Sequence, residues 1–390
     1  MSKIHICRQP IFDEARTVFA YDLLYHSGVH NFFEHIGILS RGKPAFINFS
    51  CDLLRPEIIE QFSPKLVMIS LRQKGKFEEK VLAGLRKLRE LGYTLSVDPV
   101  SLGNNLQTIL PLARIIRVDY ASTSDEQRQS LVEKMGKRGR VKFLLENVQT
   151  IGAFSQARQL GYSYFQGHFF SKPAEIGYGE VKANKIQTLR LLETLSKPET
   201  DRHEIETILR SDAGLSYKLL RYINSVSFGI PKKIKTIEHA VSMLGISGVR
   251  RLLTLIAMNE AADDKPAELM VQCLIRAHFC ETLASGTKFK ERSPELFLAG
   301  LFSLIDAILD QPMADILQQL SLSDDCQNLL LRKNNDLSDI CRLVTAYERN
   351  DWDEVGHHAA TLDLDEKLVA EAYRESVSWA DKLTNGNLEE

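Results

Sequence analysis

The stretch that decides the fold is Leu91–Val100, LGYTLSVDPV. Its alternating Thr94–Val97 run is typical of a short β-strand, and Gly92 separates that run from the helical pattern before it. Pro99 has no backbone N–H to donate, so we expect the strand to end at Asp98. A carboxylate at the carboxyl end of a strand lies where β/α folds place their chemistry. A second acid beside Asp98 would indicate a metal site, whereas proline indicates a site that has lost its original chemistry.

Short apolar runs recur through the first half of the chain, and helical patterns separate them. The predicted strands are Ile4–Phe12, Thr17–Leu24, Ala45–Phe49, Leu66–Leu71, Thr94–Asp98, Ile115–Asp119, Val141–Glu146 and Tyr164–Phe170. Helical spacing or capping signals mark Lys76–Leu91, Ser124–Met135 and Gln149–Leu160. Strands that alternate with helices predict a largely parallel sheet with crossover helices. This density of strands favours a compact barrel over an open sheet.

Polar side chains stand at the ends of these predicted strands. The candidate site residues are Asp22, Asn48, Asp98, Arg117, Glu146 and Gln166. Oxygen ligands from several strand ends are suited to Mg²⁺. The alternative is that each side chain caps a helix or satisfies a loop amide, and the pattern alone favours this alternative.

The composition describes an ordinary globular protein. The chain has 390 residues, 44% of them hydrophobic and 26% charged, which predicts two or three domains. A net charge of −2 gives no electrostatic reason to expect nucleic acid. With no signal-like apolar segment and no apolar run near twenty residues, we expect a cytoplasmic protein without a membrane span. The six cysteines are scattered without a CxxC pair, so we expect free thiols.

The second half of the chain is almost entirely helical in pattern. The predicted helices are Glu204–Leu209, Gly214–Val226, Ile237–Leu244, Gly248–Ala261, Leu269–Ala284, Pro294–Leu309, Met313–Leu320, Ser323–Leu331, Leu337–Arg349, Asp353–Ala360 and Asp365–Lys382. A strand-free run of this length predicts a helical bundle. The preceding helix, Tyr178–Leu195, is either a rigid connector or the first helix of the second domain. We place the domains at residues 1–178 and 179–390.

Two further groups of residues in this half have a functional and a structural interpretation. His278 with Cys273 and Cys280 would fit zinc, but without a fourth ligand at a set spacing, buried thiols and a core or capping histidine are favoured. The basic residues around Pro231 and at Arg250–Arg251 would meet phosphates or an acidic partner, or simply face solvent. No aromatic residues are interleaved with them, so the nucleic-acid signal is weak.

The first half resembles the EAL domain. The resemblance is carried, in order, by Tyr21–Leu24, Ile47–Ser50, Ser96–Pro99, Ile116–Asp119, Leu145–Thr150 and Phe165–Pro173. It implies a modified (β/α)8 barrel. Members of that family hydrolyse cyclic di-GMP with two divalent metal ions.

Several positions depart from the family pattern. Asp22 stands for the family's glutamate, His26 for an arginine, Pro99 for the second aspartate, Arg117 for a lysine and Gln149 for a glutamate, and Leu66–Leu71 carries no carboxylate. Asn48, Asp98, Glu146 and Gln166 match the pattern. Because Mg²⁺ needs dense anionic oxygen to give up its water, the departures imply a relic pocket without a metal pair and without hydrolysis.

The second half resembles the HDOD domain, a helical relative of the HD phosphohydrolases. The resemblance is carried by Leu215–Ser225, Phe228–Gly229 and Ile237–Gly245. In Leu301–Asp306 no histidine precedes Asp306, so the metal-binding pair of HD enzymes is missing, as the resemblance to HDOD domains implies.

Together the two resemblances imply an EAL–HDOD signalling protein of bacteria, an α/β barrel followed by an all-α bundle. We expect a non-catalytic cytoplasmic regulator with protein partners, linked to cyclic di-GMP-controlled behaviour such as motility or biofilm formation. No cofactor is expected, and Mg²⁺ or Mn²⁺ only if the barrel retains activity. The alternatives are a sensor that binds cyclic di-GMP without hydrolysis, or a weakly active phosphodiesterase.

Overall fold

The computed structural model describes residues 5–26, 36–49, 54, 59–72, 78–102, 106–136, 141–172, 183–197, 202–224 and 234–385. The chain divides into two compact units, residues 1–170 with 348–350, and residues 171–347 with 351–390. The predicted domain boundary after residue 178 lies outside the described residues, and so it stays a prediction. The basic residues Lys232 and Lys233 and the motif residues Ser225, Phe228 and Gly229 also lie outside them.

The first unit is a closed barrel in which the strands follow one another in chain order. Its strands are β1 (His5–Asp13), β2 (Val18–His26), β3 (Ala45–Asn48), β4 (Val67–Leu71), β5 (Thr94–Val97), β6 (Ile115–Asp119), β7 (Lys142–Glu146) and β8 (Tyr164–Gln166). Strand β1 pairs antiparallel with both β2 and β8, whereas the other neighbours are parallel. The predicted barrel is confirmed, and the antiparallel first strand is its departure from a regular (β/α)8 barrel.

Helices connect the parallel strands. They are α1 (Ile36–Leu39), α2 (Glu79–Glu90), α3 (Pro99–Leu102), α4 (Leu106–Ile109), α5 (Asp125–Gly136) and α6 (Ile151–Leu160). Helix α6 shows why its ends fall where they do: the Thr150 hydroxyl accepts a hydrogen bond from the N–H of Ala153 at 3.1 Å, and Gly161 closes the helix at φ 98°.

The stretch around β5 behaves as its sequence predicts. The strand ends at Val97, and Pro99 begins α3, where its missing N–H costs nothing. Asp98 Oδ1 accepts a hydrogen bond from the N–H of Val100 at 2.9 Å. Asp98 therefore caps a helical turn, which is the structural alternative considered for the strand-end carboxylates.

The last strand is shorter than predicted. Strand β8 ends at Gln166, and residues His168–Ser171 form a 3₁₀ turn in place of the predicted extension to Phe170. Gly167 causes the break, because its φ is 146° and a Cβ atom there would lie 2.2 Å from the carbonyl oxygen of Val148. The turn packs Phe169 and Phe170 against Phe12, with ring centroids 5.4 and 4.7 Å apart.

The second unit is helical, as predicted. Its helices are α7 (Ala183–Ser196), α8 (Arg202–Ser211), α9 (Ala213–Ile223), α10 (Ile237–Ala261), α11 (Ala267–Ser285), α12 (Ser293–Phe302), α13 (Ile305–Leu309), α14 (Met313–Leu317), α15 (Asp324–Leu330), α16 (Ser338–Arg349), α17 (Trp352–Thr361) and α18 (Glu366–Asn385). The two helices predicted on either side of residue 245 run together as α10, but Gly245 interrupts it with φ 68° and ψ 172°.

One predicted helix, Pro294–Leu309, is wrong as a single element. It is broken into α12 and α13 at Ser303, whose hydroxyl donates a hydrogen bond to the carbonyl of Gly300 at 2.7 Å. Gly300 lets α12 approach α11 closely, since a Cβ atom there would lie 2.5 Å from the carbonyl oxygen of Arg276. The hydrogen bond from the Ser303 hydroxyl to the backbone at the end of α12 is a local signal that apolar spacing does not contain.

Helix α7 is part of the second unit, which decides between the two options for the predicted Tyr178–Leu195 helix. Its buried Lys185 ammonium lies 2.8 Å from Asp310 and 3.3 Å from Asp264. Asp310 also pairs with Lys265. The ion pairs bind the start of α7 to the turns that follow α10 and α13.

Helix α10 is long and apolar enough, by length and composition, to cross a membrane, and half of its most apolar window is buried within the protein. The core helix of a globular protein passes the same test.

Candidate functional site

Of the predicted site residues, Asn48, Glu146 and Gln166 end their strands, and Asp98 directly follows β5. Asp22 and Arg117 were also expected at strand ends but lie within β2 and β6. Asp22 lies opposite Gln9 in the β1–β2 ladder, and Glu146 lies opposite Asp119 in the β6–β7 ladder. Because parallel strands end at the same mouth of a barrel, side chains far apart in sequence meet there. Four of the predicted residues meet in one hydrogen-bonded cluster: Asp22, Arg117, Glu146 and Gln166.

Arg117 is the centre of that cluster and is fully buried. Its Nη2 donates short hydrogen bonds to Asp22 Oδ2 and Glu146 Oε1. Its Nε also donates to Glu146 Oε1 at 3.0 Å, and Nη2 reaches Gln166 Oε1 at 3.2 Å. The guanidinium carbon lies 5.2 Å from the centroid of the Phe46 ring. One planar cation thus binds two carboxylates of the predicted site, those of Asp22 and Glu146.

Arg72, which follows β4, is the site residue that the sequence analysis missed. Its Nη2 donates to Asp22 Oδ2 at 3.0 Å and to Glu146 Oε1 at 2.5 Å. These are the same two oxygen atoms that Arg117 Nη2 binds. Four hydrogen bonds therefore link the two nitrogens and the two oxygens in a closed ring, in which nitrogen and oxygen alternate. Its position after a buried strand was the available signal, because every other cluster member also lies on a strand or directly after one.

The charges in the cluster cancel, since Arg72 and Arg117 face Asp22 and Glu146. Burial alone disfavours the charged form of Arg117, but the charges of Asp22 and Glu146 and their hydrogen bonds outweigh burial, so the pKa of Arg117 lies above its ordinary value. The guanidinium is therefore a permanent cation at this site. The carboxylates retain no uncompensated charge for a metal ion.

Gln166 connects the cluster to the first strand. Its Nε2 donates to Gln9 Oε1 at 2.7 Å and to Asp22 Oδ2 at 3.4 Å. Gln9 was not predicted, although β1 faces Asp22 across the ladder. The buried Nη1 of Arg117 has no hydrogen-bond partner in the part of the chain that the structure describes.

The other two predicted site residues are used differently. Asp98 caps α3 and is not one of the carboxylates that Arg72 and Arg117 bind. Asn48 has an exposed side chain, which forms no hydrogen bond with any described residue. Its carbonyl oxygen accepts a hydrogen bond from the Tyr25 hydroxyl at 2.5 Å.

Asp119 shows the capping alternative at another strand end. It accepts hydrogen bonds from the Asn147 amide at 2.7 Å and from the N–H of Ser122 at 3.1 Å. Partial burial raises the pKa of Asp119, but the hydrogen bonds from Asn147 and Ser122 outweigh it and hold the pKa below its ordinary value. The Asp119 carboxylate therefore stabilises the turn that follows β6.

A cavity of about 360 Å³ opens beside the cluster. Its lining includes Tyr25, Asn48, Phe49 and Arg72. Arg72 is thus the cluster member that reaches the cavity, consistent with its 32% side-chain exposure, whereas Arg117 lies behind it at 0%.

The metal pair that the EAL resemblance implies does not fit the residues present. Among the residues that the structure describes, no three His, Cys, Asp or Glu side chains are grouped to hold a metal ion. The two carboxylates that come together are both bound by arginines. A divalent ion would have to displace two guanidiniums to gain only two anionic ligands.

The second unit offers no stronger site among its described residues. His278 Nδ1 lies 3.0 Å from the Ser376 hydroxyl and its ring stacks on Trp379 at 4.9 Å, while Cys273 and Cys280 are buried. Arg251 forms a bidentate pair with Glu281 at 2.6 and 2.8 Å. The surroundings of His278 fit the structural interpretation given above, whereas Arg251 is bound by Glu281 within the unit and does not simply face solvent.

Comparison with known proteins agrees with this architecture. Residues 186–329 match the HDOD domain family model. The uncharacterized protein YuxH of Bacillus subtilis is 29% identical over 408 residues, covering 98% of this chain and 99% of that protein. The cyclic di-GMP phosphodiesterase CdgJ of Vibrio cholerae is 28% identical over 404 residues, covering 98% of this chain and 94% of that protein. The match confirms the predicted HDOD domain, which follows the barrel in the sequence.

Solved structures similar to the chain include an EAL domain protein from Listeria monocytogenes, at 16% identity and a TM-score of 0.34 over 43% of this chain and 87% of that chain. The PaMucR phosphodiesterase in complex with cyclic di-GMP is similar at 15% identity and a TM-score of 0.35, over 43% of this chain and 95% of that chain.

Proposed function

We propose that this chain is a non-catalytic regulator in cyclic di-GMP-linked signalling that acts through protein contacts. The observation that carries the proposal is the arginine pair. Arg72 and Arg117 bind the carboxylates of Asp22 and Glu146, which would otherwise be available as metal ligands. The relation to a protein named as a cyclic di-GMP phosphodiesterase supports the signalling context.

Loss of hydrolysis follows from the charges. A two-metal site stabilises the attacking and the leaving oxygen with two divalent cations held close together. Here the same region holds two monovalent guanidiniums, and neither is able to lower the pKa of a water as a metal ion does. Displacing Arg117 would leave a buried charge without its partner, at a cost of about 3–5 kcal/mol.

The barrel and the helical unit each keep a folded core. Because both folds are retained, we propose that their surfaces serve for contact with other proteins. We place the protein in the cytoplasm and its output among behaviours such as motility or biofilm formation. A pull-down with the full chain is expected to recover specific partners that surface substitutions on the helical unit weaken. Recovery of no enriched protein would contradict the proposal.

Hydrolysis is tested directly by incubating the purified protein with cyclic di-GMP and Mg²⁺ or Mn²⁺. We expect no linear product above that of a Glu146→Ala variant, with an active EAL phosphodiesterase as the positive control. Product formed by the wild-type chain and lost in Glu146→Ala would overturn the proposal. It would favour the alternative of a weak phosphodiesterase that uses Asp22, Asn48, Asp98 and Glu146.

A second candidate function is a sensor that binds a nucleotide without cleaving it. The cavity beside Arg72 favours it, because the barrel keeps an accessible pocket next to an arginine.

A further inference from the structure

A short segment from the second half of the chain is part of the barrel unit. Residues Glu348–Asn350, which are the last two residues of α16 and the residue after it, group with residues 1–170. Glu348 and Asn350 are half-buried, whereas Arg349 between them is exposed. We call this segment the strap, and its alternating exposure shows that one of its sides is covered.

The covered side of the strap contacts β1 at the mouth of the barrel. Because β1 runs antiparallel to β2, β1 begins at the mouth where β2 ends. Asn350 Oδ1 accepts a hydrogen bond from the fully buried Cys7 thiol at 3.9 Å, and the Glu348 carbonyl accepts one from Gln9 Nε2 at 3.5 Å. Cys7 and Gln9 are two residues apart and therefore lie on one face of the strand. The strap thus lies along the start of that face.

The strap also borders the cavity at the barrel mouth. Asn350 lines this cavity together with Tyr25, Asn48 and Arg72. The barrel closes through β1–β8, and the strap is not one of its strands. The strap is therefore able to leave the mouth without breaking the ladders that close the barrel.

The backbone of Asn350 has a separate structural explanation. Its φ is 62°, and the N–H of Asp351 donates to the carbonyl of Ala346 at 3.0 Å, which is the pattern that ends a helix after a left-handed residue. Glycine is the usual residue at such a position, and asparagine also occurs there. The turn therefore accounts for the conformation of Asn350 but does not require its side chain, which is the part that contacts Cys7.

Cys7 is a natural reporter of the strap. Burial raises the pKa of its thiol, and the charges of Asp22 and Glu348 raise it further. Because the thiolate is the reactive form, a buried thiol with a raised pKa reacts slowly with alkylating reagents. Any opening of the strap that admits water to Cys7 removes this protection.

We infer that the strap is an autoinhibitory cover of the barrel mouth, which opens and closes while the barrel stays folded. When closed, it shields Cys7 and restricts entry into the cavity that Asn350 borders. The hydrogen bonds to Cys7 and Gln9 are both long, so opening costs little compared with unfolding. The inference goes beyond the proposed function, because a cover controls access to the mouth whatever the barrel contacts there.

The first test locates the strap. In the full chain, Asn350→Cys places a second thiol next to Cys7, and oxidised glutathione is expected to join the two thiols in a disulfide while the glutathione is reduced. Arg349→Cys is the matched control, because Arg349 is exposed while its two neighbours are half-buried. Peptide mass spectrometry identifies the bond. An equal yield in the two variants, or no disulfide in Asn350→Cys, would overturn the inference.

The second test measures opening. Cys7 is alkylated with iodoacetamide in the full chain, and its rate is compared with that of Cys273, which is fully buried in α11. Asn350→Gly keeps the left-handed turn but removes the side chain, so we expect Cys7 alone to react about 2- to 10-fold faster, the effect of losing one hydrogen bond. Asn350→Ala also strains the turn and is expected to add a further factor of about 5–30.

Two controls separate opening of the strap from a general loss of structure. Asp363→Ala introduces the same strain elsewhere, because Asp363 is an exposed residue with φ 55° in the same kind of helix-ending turn after α17, and we expect it to leave the Cys7 rate unchanged. Hydrogen exchange of β6 and β7 reports unfolding of the barrel and is expected to stay at the wild-type level in Asn350→Gly. A wild-type Cys7 rate in both Asn350→Gly and Asn350→Ala, or faster exchange of β6 and β7 in proportion to Cys7, would contradict the inference.

Discussion

Arg117 lies fully buried between two carboxylates, and the physical character of the candidate site depends on it. A lysine at this position would place one tetrahedral ammonium where the guanidinium now offers several donors in a plane. Those donors let one side chain bind Asp22, Glu146 and Gln166 at once. Arg117 is thus a structural centre of the barrel mouth.

We expect Arg117→Met to lower the free energy of unfolding by about 3–5 kcal/mol, because it leaves the buried Asp22 and the partly buried Glu146 with only Arg72 as a partner. Denaturant unfolding followed by circular dichroism measures this change. Arg86→Met removes an exposed arginine from an ion pair and is expected to stay within about 0.5 kcal/mol of the wild type. Equal unfolding midpoints for the two variants would show that the Arg117 cluster does not stabilise the barrel.

His278 gives the helical unit a pH dependence. Burial lowers the pKa of its imidazole and Arg251 lowers it further, while Glu375 and Glu281 act in the opposite direction. Since the folded pKa lies below the unfolded one, the unfolded chain binds this proton more readily. The stability that the neutral ring contributes is therefore complete above the ordinary pKa of 6.5 and is lost as the pH falls toward the folded value.

We accordingly expect the thermal midpoint of the wild type to fall between about pH 7.5 and about pH 5.5 more steeply than that of His278→Gln. Glutamine does not titrate but is able to reach the Ser376 hydroxyl. His357→Gln, at an exposed histidine, serves as the control and is expected to follow the wild type. Parallel curves for the wild type and His278→Gln would refute this assignment.

At the scale of elements, glycines decide where several strands and helices stop. Gly167 ends β8 because its backbone lies against Val148 in the segment after β7. The turn that follows places Phe169 and Phe170 against Phe12 of β1, beside the β1–β8 ladder that closes the barrel. The end of β8 and the turn after it therefore depend on one position without a side chain.

Gly167→Ala is expected to destabilise the barrel by more than Gly92→Ala. Both glycines have positive φ, which costs an alanine about 1–2 kcal/mol. A Cβ atom at Gly167 would also lie 2.2 Å from a backbone atom, whereas a Cβ atom at Gly92 would have open space. The clash at Gly167 adds about 1–3 kcal/mol to the cost of the substitution. Thermal unfolding of the two variants compares the costs, and equal losses would show that φ alone matters.

At the scale of the whole molecule, the chain combines a barrel whose strands join distant sequence segments with a helical unit built from local elements. Helix α7 belongs to the helical unit through the Lys185 ion pairs and through the buried side chains of Leu189, Leu192 and Leu195. The second unit should therefore need α7 for its stability.

We expect a fragment of residues 183–390 to unfold cooperatively and one of residues 198–390 to be markedly less stable. The shorter fragment loses three buried leucines, each worth about 1.5–3 kcal/mol when fully buried. Circular dichroism during heating compares the two fragments. Equal midpoints would mean that α7 is only a connector.

The sequence by itself determined the two-part architecture, because strand periodicity, helical spacing, Pro99 and the capping residues act locally. It also identified Asp22, Arg117, Glu146 and Gln166 as polar residues of the strands that form the site. It did not determine that Arg72 joins them, because no local pattern shows which cation lies against which carboxylate across the mouth of a barrel. Only the tertiary structure decided that two arginines bridge the same two oxygens, since closing the barrel is what brings residues 22, 72, 117 and 146 within hydrogen-bonding distance.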